Sequence, residues 1–250
     1  MRVRELNRNE WEQVAMMIHA STNAWYQSNL NRSIFDEDDS SGCLIFPEVY
    51  EALDPHCCLV AEDEDGSMMG SCFYHPRETH VSLGIMNAHP DHAGRGVAAT
   101  LLAEVVRRAG NLPVRLVSSC MNLDSFSLYT RAGFTPGELY QDMYIPSGKV
   151  LPETPEGGER VREASAEDIE AMVDLEEEVS GIRRTKDFQF FIRNDQKIWK
   201  TLVLEGPNKS IESSLYQWGA RNCELHVAQA RGAVTPPRGI TMPTFMPETS

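Results

Sequence analysis

The residues with the most evident chemistry lie in the segment HPDHAGRGVAATLL. Gly94 and Gly96 bracket Arg95, and Val97, Ala98 and Ala99 open a run with helical apolar spacing: Val97, Ala98, Leu101, Leu102, Val105, Val106 and Ala109. Glycines let a backbone approach a ligand closely, and the first N–H groups of a helix have no partner inside it. Such a terminus receives an anion through donors and dipole together, and a pyrophosphate is its natural guest. The small side chains of Ala98 and Ala99 keep the first turn open. A P-loop does not fit, because no Gly-Lys-Ser/Thr follows. A dinucleotide fold would want a third glycine where Ala99 stands and an acid about 20 residues on, where the sequence has Leu116.

The elements around this turn are legible. Asn7, with Glu10 three residues later and then Trp11, Val14, Ala15 and Ile18, predicts a capped amphipathic helix. An acidic, serine-containing loop (Asp36 to Gly42) and a short apolar segment through Val49 and Leu53 follow. CCLVAE, DEDG and SMMGSCFYH read as two strands joined by an Asp-Gly turn. His80 to Ala88 is a third strand, Gly96 to Ala109 a helix, VRLVSS a strand, and a short helix ends at Gly133. A last strand is expected near Glu138 to Ile145. Strands with packing helices predict an α/β (α+β) sandwich.

Composition bounds the function. The 250-residue chain has 23 Lys+Arg against 37 Asp+Glu, a formal charge of −14, which argues against nucleic acid as a partner. No apolar run approaches the roughly 18–20 residues of a membrane helix, and the polar N-terminus reads as no signal peptide. Cys43, Cys57, Cys58, Cys72, Cys120 and Cys223 form no C-x-x-C pair, so neither zinc nor a redox dithiol is indicated. A cytoplasmic location is the expectation. The acidic runs at Asp36–Asp39, Glu62–Asp65 and Glu176–Glu178 could attract an amine or be solvated faces.

The stretch Asn87-Ala88-His89-Pro90, three residues, then Gly94-Arg95-Gly96-Val97-Ala98 and the Leu101-Leu102 pair, followed by Asn122, Ser125, Leu128-Tyr129 and Gly133-Phe134, resembles the acetyl-CoA signature of the GNAT superfamily of N-acetyltransferases. It covers Val81 to Phe134. The family usually carries Gln or Arg before the first glycine, where this chain has Ala93. The resemblance implies a mixed, mostly antiparallel central sheet with a splayed pair of strands, acetyl-CoA as co-substrate, and no metal. It implies backbone bonds from Asn87, Ala88 and His89 to pantetheine. Gly94, Arg95, Gly96, Val97, Ala98 and Ala99 would cradle the pyrophosphate, and Asn122 would contact the pantetheine arm. Tyr129 would act as general acid to the departing thiolate, and N–H groups near Asn87–Ala88 would meet the oxyanion. The acceptor would be a primary amine of a small molecule or peptide. For the base that deprotonates it, His80, with Glu78, His75, His89 and His92, is a candidate. The alternative is a non-catalytic acyl-CoA-binding regulatory or assembly protein.

Residues 146–160, rich in Pro, Gly and Glu, read as a linker between a domain at 1–145 and a second part at 161–250. Val161-Arg162-Glu163, Ser165 and Asp168 repeat Val3-Arg4-Glu5, Asn7 and Glu10 at an offset of 158. Ser214-Leu215-Tyr216 echoes Ser127-Leu128-Tyr129 at an offset of 87, which would leave the second copy short by about 71 internal residues. The whole resembles tandem-GNAT proteins with a smaller, incomplete second half that carries no cofactor turn and ends in an extended tail; this half could cover the acceptor cleft, form a homodimer surface, or be poorly ordered on its own.

Overall fold

The computed structural model describes residues 1–137, 160–220 and 223–230. The strand expected at Glu138–Ile145, nearly all of the linker, and the tail lie outside them. Two units are formed: Met1–Pro76 with His80–Thr135, and Arg77–Thr79 with Pro136–Ser250.

The first unit opens with β1 (Arg2–Glu5), a single 3-10 turn and α1 (Trp11–Leu30). Asn7 and Glu10 form the expected capping box. Arg4 locks it in place: its guanidinium lies 2.8 Å from one Glu10 oxygen, and its Nε donates to Glu62 at 2.6 Å. The helix runs to Leu30 and stops at Asn31, whose left-handed φ of 52° suits a short polar side chain. The apolar segment predicted after the acidic loop is a helix, α2 (Ile45–Leu53).

Then come β2 (Cys58–Glu62), β3 (Met68–Pro76), β4 (Val81–Ala88), α3 (Val97–Ala109), β5 (Val114–Arg115) and α4 (Leu123–Arg131). The sheet order is β1-β2-β3-β4-β5. The first three pairings are antiparallel and the last is parallel. This is the mixed, mostly antiparallel sheet that the resemblance implied. Leu59, Ala61, Met69, Cys72, Val81 and Leu83 pack against Val97, Leu101, Leu102 and Val105 of α3. Burial of Leu101 and Leu102 alone is worth about 1.5–3 kcal/mol each, which fixes the helix on the sheet. The opposite face carries Phe73 and His75, whose rings lie 5.0 and 4.9 Å from that of Tyr50 in α2.

One irregularity governs the site. Cys72 pairs with Met86 and Tyr74 with Leu83, so Gly84 and Ile85 together oppose the single residue Phe73. This is a bulge in β4, and it shifts the alternation of side chains. Val81 and Leu83 before it, and Met86 and Ala88 after it, all turn toward α3. Asn87 turns the other way and donates to Ser21 of α1. A Cβ on Gly84 would come within 3.0–3.2 Å of His75 Nε2 and of Phe73 atoms, so the close strand approach needs glycine there.

The second unit contains β6 (Val161–Glu163), α5 (Ile169–Ser180), α6 (Thr185–Arg193), β7 (Trp199–Glu205), β8 (Ile211–Ala220) and β9 (Cys223–Ala230). Its sheet order is β6-β7-β8-β9, with every pairing antiparallel. The opening repeats in detail. Ser165 and Asp168 form a capping box, and Arg162 lies 2.7 Å from Asp168 and 2.7 Å from Glu205. The echo at Leu215-Tyr216 does not hold, because these residues lie in β8 whereas Leu128-Tyr129 lie in α4. Three residues carry too little periodicity to separate strand from helix. Without that echo the figure of about 71 missing residues loses its second anchor.

Candidate active site

The anion-ready turn has the expected form. Gly94 and Gly96 have φ of 74° and 76°, the left-handed region where glycine is at home. Gly96 is the N-cap of α3 and has no side-chain cap; its carbonyl accepts from Thr100 N–H. No acceptor among the described residues takes the N–H groups of Gly94, Gly96, Val97, Ala98 or Ala99. Nothing lies within 4 Å of where a Cβ on either glycine would stand, so the concavity is open. Arg95 points away from its own turn toward Asp63 of the β2–β3 connection, at 2.8 Å, and also approaches His92 at 3.0 Å. The Arg95 hydrogen bond holds the Asp63 carboxyl below the usual carboxylate range.

The turn follows directly from β4. His89 N–H donates to Met69 carbonyl at 2.8 Å, so the chain stays tied to β3 up to that point, and His89 Nδ1 accepts from Asp91 N–H. On its other edge β4 is paired only at Val81 with Val114 and Ser82 with Arg115. The predicted strand VRLVSS is therefore shortened to Val114–Arg115, and from Leu83 onward β4 has an edge that no described strand covers. The bulge turns β4 aside at this point. Asn87 and Ala88 are the last residues of that uncovered edge, immediately before the turn.

Asn122 and Tyr129 come from α4. Asn122 Oδ1 accepts from Ser125 N–H at 3.0 Å, which makes it the N-cap of the helix. Its carboxamide oxygen is thereby committed, and its NH₂ has no partner among the described residues. Tyr129 is brought to the sheet: its ring packs against the core cluster shared by β2, β3, β4 and α3, and lies 5.9 Å from that of Phe134. Burial, with a smaller effect of the Cys72 thiol, raises its hydroxyl to about 12. His80 is buried at the start of β4, with Nε2 2.9 Å from Ser82 Oγ. It lies at the other end of the strand from Asn87 and Ala88.

Several polar residues near the site have no signal in the sequence pattern. Ser71, the cross-strand partner of Asn87, has a buried hydroxyl with no hydrogen-bond partner among the described residues, and the carboxamide oxygen of Asn87 is in the same position. Asp54 at the end of α2 lies 2.7 Å from His75 Nδ1. A glycine inside a strand pattern was the one available clue, since Gly84 marks the bulge. Along α1, His19, Asn23, Gln27, Ser33 and Glu37 line an open groove of about 430 Å³. Asn23 shapes it by accepting from Ile34 and Phe35 N–H and donating to Phe35 carbonyl. Among the described residues no group of three or more His, Cys, Asp or Glu could hold a metal ion.

Comparison with known proteins agrees with this geometry. Residues 16–134 match the profile of the Acetyltransferase (GNAT) family. A search of curated proteins returns no match. Among solved structures, a Pyrococcus horikoshii protein assigned as an acetyltransferase superposes with a TM-score of 0.62 at 15% identity, over 91% of this chain and 70% of its own. A GCN5-related N-acetyltransferase from Sphaerobacter thermophilus superposes at 0.55 with 18% identity, over 92% and 76%. At such identities these two speak for the fold, and the matched profile speaks for the family. Residues 16–134 form a domain of the GNAT acetyltransferase family.

Proposed function

We propose that the chain transfers the acetyl group of acetyl-CoA to a primary amine of a small molecule or peptide. One observation carries this reading. Five unclaimed N–H groups at Gly94, Gly96, Val97, Ala98 and Ala99 directly follow a strand edge that is open from Leu83 to Ala88. A diphosphate at the turn would leave the pantetheine arm to run back along that edge, taking backbone bonds at Asn87, Ala88 and His89. The thioester would then lie toward the bulge, with Tyr129 on the α3 side.

The raised phenol refines the role of Tyr129. At about 12 it is a weaker acid than a thiol. Against a thiol near ~8.5, full proton transfer to a free thiolate would run uphill by roughly 5 kcal/mol. Tyr129 therefore serves as a neutral hydrogen-bond donor to sulfur while the C–S bond breaks. The proton that ends on the thiol is drawn from the far more acidic nitrogen of the tetrahedral intermediate. Asn122 NH₂ is free to meet the arm, while its oxygen holds the helix end. His80 keeps a place among the candidate bases, although its Nε2 is engaged with Ser82.

The second unit reads as an incomplete GNAT-like half. Its support is the repeated opening, with the same capping box, the same arginine fork and the same strand order through four strands. The reaction reading is tested by following thiol release from acetyl-CoA with a panel of amines. Release that depends on the amine supports a transferase. CoA binding with no turnover on any amine would leave the non-catalytic acyl-CoA-binding role.

A further inference from the structure

Asp54 and His75 are both buried, with side chains 3% and 1% exposed. Asp54 is the C-cap of α2, and His75 is the penultimate residue of β3. A carboxylate only accepts, so the 2.7 Å contact with Asp54 places the imidazole proton on Nδ1 and leaves the lone pair on Nε2. That Nε2 is buried and has no hydrogen-bond partner among the described residues. An unsatisfied buried nitrogen is costly and uncommon, and it calls for an explanation.

Nε2 is aimed at the bulge. It lies 3.0 Å from the position that a Cβ on Gly84 would occupy, in the stretch of β4 that has already parted from β5. Resting on the transferase reading above, this is where the thioester approaches. His80, by contrast, has its Nε2 on Ser82, the cross-strand partner of His75. The titratable groups facing the His75 imidazole are Asp54 and Tyr50 from α2 and, through Ser82, His80 from β4; Glu51 stands behind Asp54.

We propose that Asp54 and His75 form the proton-accepting pair for the acceptor amine. With 1% exposure the imidazole does not touch the amine, so the proton reaches Nε2 through a bridging water at the bulge, and His75 is a positioning residue. The acceptor ammonium gives one proton by this route to His75, and Asp54 steadies the imidazolium. The freed electron pair on nitrogen forms the N–C bond. The tetrahedral intermediate then collapses, the C–S bond breaks, and a second proton from nitrogen ends on the thiolate. His75 returns its proton to solvent. The sum is ammonium plus thioester giving amide, thiol and one proton.

The test compares kcat, KM for the amine, CoA affinity and the pH profile of the full-length parent chain with those of His75→Gln and Asp54→Asn. With an amine that the parent acetylates, both variants should bind CoA as the parent does. His75→Gln should lose about a hundredfold in kcat with its acid limb flattened. Asp54→Asn should lower kcat as well, because the amide can hand an N–H to Nδ1 and so hold the imidazole in the wrong tautomer. A His75→Gln chain with the parental kcat and pH profile overturns the assignment and leaves the transferase reading intact. A parent that acetylates no amine overturns both. Should His75→Gln fail to fold, the isosteric Asp54→Asn decides, together with the ring ¹⁵N shifts of His75 in the parent. Protonation on Nδ1 at neutral pH supports the pair, and protonation on Nε2 alone overturns it.

Discussion

Tyr129 shows how environment sets the role of a residue. Its ring lies against the core, and burial lifts its hydroxyl to about 12, so it stays protonated throughout the working range, as the proposed donor to sulfur must. Tyr129→Phe removes the donor and keeps the ring. The expected result is a fall in kcat of about a hundredfold with CoA affinity unchanged, measured by steady-state kinetics beside equilibrium binding. An unchanged kcat would dismiss the residue from the reaction. The phenol was legible because the Leu128-Tyr129 and Gly133-Phe134 pairs stand at a recognisable spacing. His75 could only be named among five acid–base candidates. Its distinction is a contact with Asp54, 21 residues earlier, and no local pattern encodes that contact.

Among elements, the α3 terminus was the most legible, because glycine conformation and helix periodicity are both local properties. Gly96→Ala keeps open space around the new methyl but forces alanine to a φ of 76°. The expected cost is about 1–2 kcal/mol of stability. A loss of CoA affinity of about tenfold or more should accompany it, as N–H groups of the turn rotate away from the diphosphate. Denaturant titration and calorimetry check the two effects separately. The β4 bulge was not legible, because it is a property of register between two strands and only Gly84 hinted at it. The β1–α1 corner makes a prediction about pH. The Arg4 hydrogen bond holds Glu10 at about 2 against an ordinary 4.5. A lowered carboxylate contributes stability above pH 4.5 and loses it as pH falls toward 2. Arg4→Gln should therefore cost about 1–2 kcal/mol at neutral pH, and the gap from the parent should close as pH falls. Circular dichroism of both proteins across that range would show it; a gap that stays constant would mean that Arg4 acts through packing.

At the scale of the whole molecule, the sequence predicts two related parts, of which one holds a cofactor turn. The repeat at Val161-Arg162-Glu163 foretold a real likeness, since Arg162, Ser165 and Asp168 reproduce the Arg4, Asn7 and Glu10 arrangement. The supposed internal gap came from the three-residue match at Ser214-Leu215-Tyr216, which the structure places in a strand. The chain's charge of −14 would favour the approach of the cationic acceptor proposed above. One site, from the open edge of β4 to the Gly94–Ala99 turn, is proposed to support acetyl transfer to an amine. The most direct test is stoichiometric: free thiol and acetylated amine counted together while the intact chain is given acetyl-CoA and each amine of a panel in turn. One thiol for each amide is expected, at a rate that depends on the amine. Acetyl-CoA bound tightly and left whole with every amine would contradict it.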